Sequence, residues 1–155
     1  LAMYNRGRKG ISVLAALSQA YAGQKQFGPA RAVLEKEIAA NPKNPDLQAL
    51  RATVLGQEGN LPAAIAAFEK LNLPDRPEPA ILFSLAGLYS RAGNHEKSVA
   101  IHRQLAARNP DLPEAYNSWV AAATDSGQNR LVLEACQKWN ERGKPDWAVL
   151  NNCAY

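Results

Sequence analysis

Apolar and small side chains recur along this chain with the spacing of one helix face. In four successive stretches they fall at i, i+3, i+4 and i+7, and the third stretch shows this at Leu82, Leu85, Ala86 and Tyr89. That spacing predicts amphipathic helices, each with one buried side. A second set of small and apolar residues in every stretch predicts a partner helix. We predict helices over residues 11–24, 28–40, 45–58, 61–72, 79–92, 95–108, 113–126, 129–142 and 147–155.

The pattern repeats at an interval of 34 residues, which three prolines and three glycines keep: Pro45, Pro79, Pro113, Gly59, Gly93 and Gly127. A period of 34 predicts an array of helix–turn–helix units, that is, an all-α, right-handed α-solenoid. Residues 1–10 are expected to be a leader or the end of a preceding repeat. We assign the array to residues 11–155, with units at 11–44, 45–78, 79–112 and 113–146 and a partial unit at 147–155.

Residues with known preferences for helix ends stand at the predicted boundaries. Asn44 is a good N-cap before Pro45, because the first helical position does not need an N–H group. The repeated glycines suit the left-handed conformation that ends a helix. Asn60 and Asn94 follow two of those glycines and are expected to cap the second helices. Asn109 precedes a proline, which disfavours the helical conformation and ends the helix there.

The column pattern resembles the tetratricopeptide repeat (TPR) family. The third unit carries the family motif most fully, with Leu82, Leu85, Ala86, Tyr89, Gly93 and Pro110. The second unit departs from it, because Gln48 and Arg51 stand in columns that should be apolar. The resemblance covers residues 11–155 and implies about four TPR units plus a trailing helix. It also implies a concave groove lined by the first helix of each unit.

Carrying over the groove columns of the family gives a polar surface with few charges. Asn amides carry both donors and acceptors, so they can pair with an extended peptide backbone. Phe83 and Tyr155 are expected to supply apolar contacts of the kind that anchor interfaces. The alternative is that the Asn and Ser side chains only solvate an open groove. The predicted partner-binding residues are Gln19, Thr53, Phe83, Ser84, Arg91, Asn117, Ser118, Asn151 and Asn152.

One binding mode of the family is not expected. Members that grip the acidic C-termini of heat-shock chaperones use a clamp of Lys, Arg and Asn in fixed groove columns. The corresponding positions here hold Ala15, Gln19, Leu50, Ala80 and Ser84. Because the cations that would pair with a carboxylate are absent in this register, a chaperone co-factor of that type is not predicted.

The net charge of +4 does not point to nucleic acid. Arg6, Arg8 and Lys9 supply three of the 18 cationic residues, so residues 11–155 hold 15 cations against 14 acids. A nucleic-acid-binding face needs clustered basic residues, whereas these charges alternate in sign. No apolar run approaches the length of a membrane span. We therefore predict neither a nucleic-acid partner nor a membrane span.

The chain shows no enzymatic grouping, so no catalytic residue, cofactor or metal is predicted. Cys136 and Cys153 both stand in packing columns, which favours buried free thiols. A disulfide between them is the alternative, because their helices would be neighbours. His95 and His102 lie two turns apart on one helix without a carboxylate on that face, which makes a weak metal site.

These observations predict a non-enzymatic scaffold that binds a partner protein or peptide segment in the concave groove. The alternative is a structural spacer or assembly module of a larger bacterial envelope, secretion or polysaccharide-export protein, which the tail from Leu150 to Tyr155 resembles. Self-association through open repeat ends is a third interpretation, since such ends present apolar faces. Because the sequence starts with Leu1, we expect it to be part of a longer chain.

Overall fold

The computed structural model describes residues 2–71, 78–143 and 147–153. Within these ranges the chain forms helices and no strand, which confirms the all-α fold class. The helices are α1 (Ala2–Gly23), α2 (Phe27–Ala40), α3 (Pro45–Gln57), α4 (Leu61–Glu69), α5 (Pro79–Arg91), α6 (His95–Arg108), α7 (Pro113–Asp125), α8 (Asn129–Asn140) and α9 (Trp147–Asn152).

The observed bounds of α2 to α8 lie within three residues of the predicted ones. The first helix differs, because α1 begins at Ala2 and not at residue 11. No proline interrupts this stretch, and each of its two glycines, Gly7 and Gly10, costs a helix only about 1 kcal/mol. The last helix ends at Asn152, and the predicted contact residue Tyr155 lies outside the described residues.

The predicted caps form. The Asn44 side chain accepts hydrogen bonds from two backbone N–H groups in the first turn of α3, at 2.9 and 3.3 Å. Asn60 and Asn94 each accept one from the N–H group three residues on, at 3.3 and 3.2 Å. Such caps satisfy donors that a helix N-terminus would otherwise leave unpaired. The prolines at the start of α3, α5 and α7 occupy the first helical position.

The chain divides into two compact units, Leu1–Pro77 and Glu78–Tyr155, which we call unit N and unit C. In unit N, α1 packs on α2 and α3, α2 packs on α3, and α3 packs on α4. Among the described residues of this unit, the fully buried aromatic side chain is Phe68 on α4. A cluster of buried side chains joins α1, α2 and α3: Ala22, Ala30, Leu34, Ile38, Leu47 and Val54.

In unit C, each of α5 to α8 packs on the next helix, and α9 packs on both α7 and α8. Its core is built around aromatic rings. The Tyr116 ring lies 4.9 Å from that of Trp139 and 6.4 Å from that of Trp119. Both Trp side chains are fully buried, and Val149 of α9 joins the same cluster.

First helices bury more of their surface than the sequence pattern indicated. The third and tenth residues of α3, α5 and α7 are buried, in addition to the predicted columns: Leu47, Val54, Ile81, Leu88, Ala115 and Ala122. In α3 and α7 these residues join cores that include the preceding second helix. The reason is that such a helix packs on two neighbours, whereas i, i+3, i+4, i+7 describes only one contact face.

The corresponding face of α1 is open. Val13, in the third position of the first unit, is 66% exposed, and Ala20, in the tenth, is also exposed. Leu17 stands in the i+3 column of the first unit, which the sequence pattern predicts to be buried, but it is 42% exposed. That prediction is wrong because no described helix lies where the preceding second helix packs against α3 and α7.

The turn inside each helix pair uses a left-handed residue. Gly59, Gly93 and Gly127 have φ values of 98°, 77° and 69°, and the same position of the first pair holds Lys25 at 59°. A side chain at positive φ brings its Cβ close to the following carbonyl group, which glycine avoids. The first turn therefore carries backbone strain that the other three do not.

We expect Lys25→Gly to raise the free energy of unfolding of unit N by about 0.5–1 kcal/mol, because it relieves this strain at an exposed site. Urea titration followed by circular dichroism measures the change. The matched change Gly93→Ala should lower stability by about 1 kcal/mol or more, since it introduces a Cβ at positive φ. Equal stability of Lys25→Gly and the parent chain would show that the first turn is not strained.

Candidate partner-binding groove

The nine predicted groove residues are divided between the two units. Gln19 on α1 is exposed and Thr53 on α3 is half-buried, and both belong to unit N. Unit C holds the other seven. Arg91 and Asn151 are exposed among these seven. The seven are Phe83, Ser84, Arg91, Asn117, Ser118, Asn151 and Asn152.

Hydroxyl groups on the predicted surface bond to their own helices. Thr53 Oγ1 donates to the Ala49 carbonyl at 3.0 Å, and Ser84 Oγ donates to the Ala80 carbonyl at 2.9 Å. This is the usual local bond of Ser and Thr inside a helix. Each hydroxyl oxygen can still accept a hydrogen bond, but its proton is committed. These residues therefore offer a partner acceptors, not donors.

Two of the predicted asparagines come together. Asn152 Nδ2, at the end of α9, donates to Asn117 Oδ1 on α7 at 3.1 Å. Each amide carries two N–H donors and one carbonyl acceptor with two lone pairs. The pair therefore leaves both Asn117 N–H groups and the Asn152 carbonyl without a partner among the described residues. A donor and an acceptor stand side by side, which matches the N–H and C=O of one residue in an extended chain.

A depression of about 460 Å³ lies beside this amide pair. Its floor is apolar, because Val120 is buried and Val132 is half-buried. Its rim is polar and includes the single carboxylate of Asp125. The sequence reading missed the contribution of α8, because it drew groove residues only from first helices. The lining residues are Val120, Ala121, Thr124, Asp125, Asn129, Val132 and Asn152.

The two cysteines form a disulfide, with their Cα atoms 5.8 Å apart. The prediction of free thiols is therefore wrong, and the alternative that the sequence left open is correct. The bond ties α9 to α8, where Cys136 is 8% exposed. Within the described ranges, no group of three or more His, Cys, Asp or Glu side chains could hold a metal ion.

No protein-family model matches the chain. No curated protein matches it either. Among solved structures, it resembles a tetratricopeptide repeat protein from Parabacteroides merdae, with a TM-score of 0.68 and 19% identity over 93% of this chain and 57% of that one. This chain therefore spans little more than half the length of that protein.

Two further solved structures have a similar fold. TPR-like repeats from Podosopora anserina match with a TM-score of 0.72 and 17% identity, covering 92% of this chain and 81% of that one. The Cut9–Hcn1 hetero-tetramer of APC/C matches with a TM-score of 0.65 and 12% identity, covering 90% of this chain and 28% of that chain. The chain has the TPR fold. The family resemblance seen in the sequence is thus confirmed at the level of fold.

TPR geometry explains why the two asparagines meet. Asn117 is the fifth residue of the fourth unit, and Asn152 is the sixth residue of the partial fifth unit. They are 35 residues apart, one more than the repeat period, so neighbouring first helices bring them to adjacent positions on one face. The spacing was present in the sequence, but the bond depends on where α9 lies.

A larger cleft, of about 780 Å³, lies between α6 and α8 of unit C. Both arginines that line it already have partners. Arg103 pairs with Glu134 at 2.8 Å and lies 5.5 Å from the Trp119 ring, while Arg142 pairs with Asp111 at 2.7 Å. A ligand would have to break these pairs to use the charges. We therefore favour the smaller TPR groove as the binding site.

None of the described helices has the length and apolar composition needed to cross a membrane.

Phe83, the predicted aromatic contact, is half-buried against a histidine. Its ring lies 5.8 Å from that of His102, which is 6% exposed and occupies the column held by Leu34 and Phe68 in other units. The Nδ1 atom of His102 has no hydrogen-bond partner among the described residues. Burial lowers the pKa of His102 from 6.5 to about 4, because desolvation penalises its charged form.

This pKa predicts acid sensitivity. Between pH 6.5 and 4 the unfolded chain binds a proton at His102 and the native chain does not, so lowering the pH stabilises the unfolded state. The loss should reach about 3 kcal/mol at most. We expect His102→Leu to flatten the pH dependence of the unfolding free energy in this window, whereas His95→Gln should keep it. An unchanged slope in His102→Leu would contradict the assignment.

Proposed function

We propose that this chain is a non-enzymatic scaffold that binds an extended segment of a partner protein in the groove of unit C. The observation that carries the proposal is the Asn117–Asn152 amide pair, which presents a free donor beside a free acceptor. An extended residue points its own N–H and C=O to the same side of the chain, so one residue of a partner can pair with both asparagines at once. The TPR fold supports a protein-interaction scaffold in general.

The contacts divide between recognition of the backbone and of one side chain. The Asn117 N–H groups would donate to a partner carbonyl, and the Asn152 carbonyl would accept from a partner N–H. Because these hydrogen bonds involve only the backbone of the partner, they would fix its position in the groove without selecting for particular side chains. The depression beside them has an apolar floor and would take a small apolar side chain. Asp125 on its rim favours partners with a basic or hydrogen-bond-donating residue nearby.

The test is a double substitution, Asn117→Ala with Asn152→Ala. A peptide selected against the parent chain from a random display library serves as the probe. We expect its Kd to rise about 10- to 100-fold, because two hydrogen bonds worth about 1 kcal/mol each are lost. Isothermal titration calorimetry measures the change. The melting temperature should stay almost constant, since the lost side chains are exposed or half-buried.

The matched control is Asn140→Ala, which removes an exposed asparagine at the end of α8. It should leave the Kd unchanged. A photo-crosslinking residue placed at Ala121 should label the same peptide, whereas one at the exposed Gln137 of α8 should not. Equal affinity of the double variant and the control for every selected peptide would rule out the amide pair as the binding site.

A second candidate function is self-association through α1, and the exposure of Val13 and Leu17 favours it. In α3, α5 and α7 the third and tenth residues are buried. The same face of α1 is therefore apolar like a packing surface, but no described helix covers it. Two copies could cover it by pairing their α1 helices around a twofold axis. Such pairing fits the assembly-module alternative. A bacterial envelope, secretion or polysaccharide-export setting stays a prediction from the sequence alone.

Self-association of this kind predicts a dimer that Val13→Glu with Leu17→Glu converts to a monomer, because charges on an apolar contact are costly to desolvate. Multi-angle light scattering at several concentrations measures the mass. Ser12→Glu with Gln19→Glu adds the same charge on another face of α1, where both residues are exposed, and should leave the dimer intact. A parent chain that is monomeric at every concentration would eliminate this candidate.

A further inference from the structure

α9 is a short helix whose position needs support from α7 and α8. It has six residues, and isolated helices of that length are not stable in water. Val149 anchors its first turn, because this side chain is fully buried in the core of unit C. Beyond Val149, the described contacts that hold the C-terminal end of α9 are the Asn152–Asn117 hydrogen bond and the disulfide.

The disulfide acts on the turn that carries Asn152. Cys153 is the next residue, and its N–H donates to the Val149 carbonyl at 3.1 Å, which closes the last turn of α9. Its sulfur is bonded to Cys136 in the middle of α8. The bond therefore fixes the residue adjacent to Asn152 on a rigid helix, and it leaves the Asn152 side chain free to reach Asn117.

We propose that the Cys136–Cys153 disulfide positions Asn152 for partner binding, so that the groove of unit C is complete only in the oxidised chain. This inference rests on the proposed function, because it concerns the same site. The two cysteines are positioning residues, since neither would touch the partner. They are the only cysteines in the sequence, so every thiol-dependent change in binding must act through this bond.

The redox step is an ordinary dithiol oxidation. The two thiols lose two protons and two electrons as the S–S bond forms, and a disulfide-containing oxidant accepts them and becomes a dithiol. Dithiothreitol reverses the step. Its thiolate attacks one sulfur, the mixed disulfide is resolved by its second thiol, and the protein regains two thiols. Disulfides persist in oxidising compartments, so the working form of this groove belongs in one of them.

The size of the effect follows from the loop that the bond closes. Cys136 and Cys153 are 17 residues apart in sequence. Closing a loop of this length disfavours open states by about 100-fold in the chain-entropy model. Reduction should therefore raise the population of chains with α9 detached by up to about that factor. The affinity for a partner should fall on reduction to the extent that binding uses Asn152.

The first measurement needs no ligand. Hydrogen exchange of the Cys153 backbone amide, followed by NMR, should be 10- to 100-fold faster in dithiothreitol than in the oxidised chain. The side-chain amide signals of Asn117 and Asn152 should shift together on reduction. Cys136→Ala with Cys153→Ala should resemble the reduced chain and should not respond to dithiothreitol. Unchanged exchange and unchanged amide signals on reduction would overturn the proposal.

The second measurement separates positioning from general stabilisation. The Kd of a display-selected peptide that crosslinks at Ala121 is measured for the oxidised chain, the Cys136→Ala/Cys153→Ala variant, Asn152→Ala and the triple variant. If the disulfide acts through Asn152, its removal weakens binding about 10-fold in the parent and has no further effect in Asn152→Ala. Equal weakening in both backgrounds would overturn the proposal, because the disulfide would then act independently of Asn152.

The two proposals fail in different ways. If Asn117→Ala with Asn152→Ala weakens peptide binding but dithiothreitol does not, the groove assignment stands and the role of the disulfide is wrong. If α9 loosens on reduction but no selected peptide crosslinks at Ala121, both the groove assignment and the positioning role in binding are wrong. The Cys136→Ala/Cys153→Ala variant, measured with and without dithiothreitol, shows whether the reductant acts on the peptide itself.

Discussion

The architecture depends on the inability of one helix pair to bury its own apolar surface. A first helix of this chain has two contact faces, one for its partner and one for the preceding second helix. In α3 and α7 both faces are covered, and the residues on them join the cores of unit N and unit C. On α1 the second face is open, and Val13 and Leu17 are exposed there. Burial in such an array comes from neighbours, so its ends have different chemistry from its middle.

Helix α9 also depends on its neighbours, but a disulfide and a hydrogen bond add to the apolar packing there. α9 is too short to bury much surface, and the described contacts keep it in place through one buried aliphatic side chain, one disulfide and one amide pair. The side-chain amides of Asn117 and Asn152 therefore lie on the groove, where Asn117 is half-buried and Asn152 is exposed. The site that we propose for a partner therefore includes the shortest described helix of unit C. Binding and the order of α9 are physically coupled there, because Asn152 takes part in both.

Much of the fold could be predicted because its signals are local. Helix ends follow from Asn44, Asn60 and Asn94, whose side chains cap the helices that follow them, and from prolines that cannot continue a helix. Helix lengths follow from the repeat of 34 residues. The candidate site was harder to predict. The columns named Asn117 and Asn152 among nine residues, but they could not single out this pair or include Val132 of α8, because those contacts join different helices.

The sequence by itself determined the repeat, the all-α class, the caps and the left-handed turns, since each depends on residues a few positions apart. Tertiary structure decided which faces are buried, because burial depends on the presence of a second helix. It also decided the state of the cysteines. Two thiols in packing columns are compatible with either form, and only the approach of Cys153 to Cys136 allows the bond. The pairing of the two groove asparagines likewise needs α9 to lie beside α7.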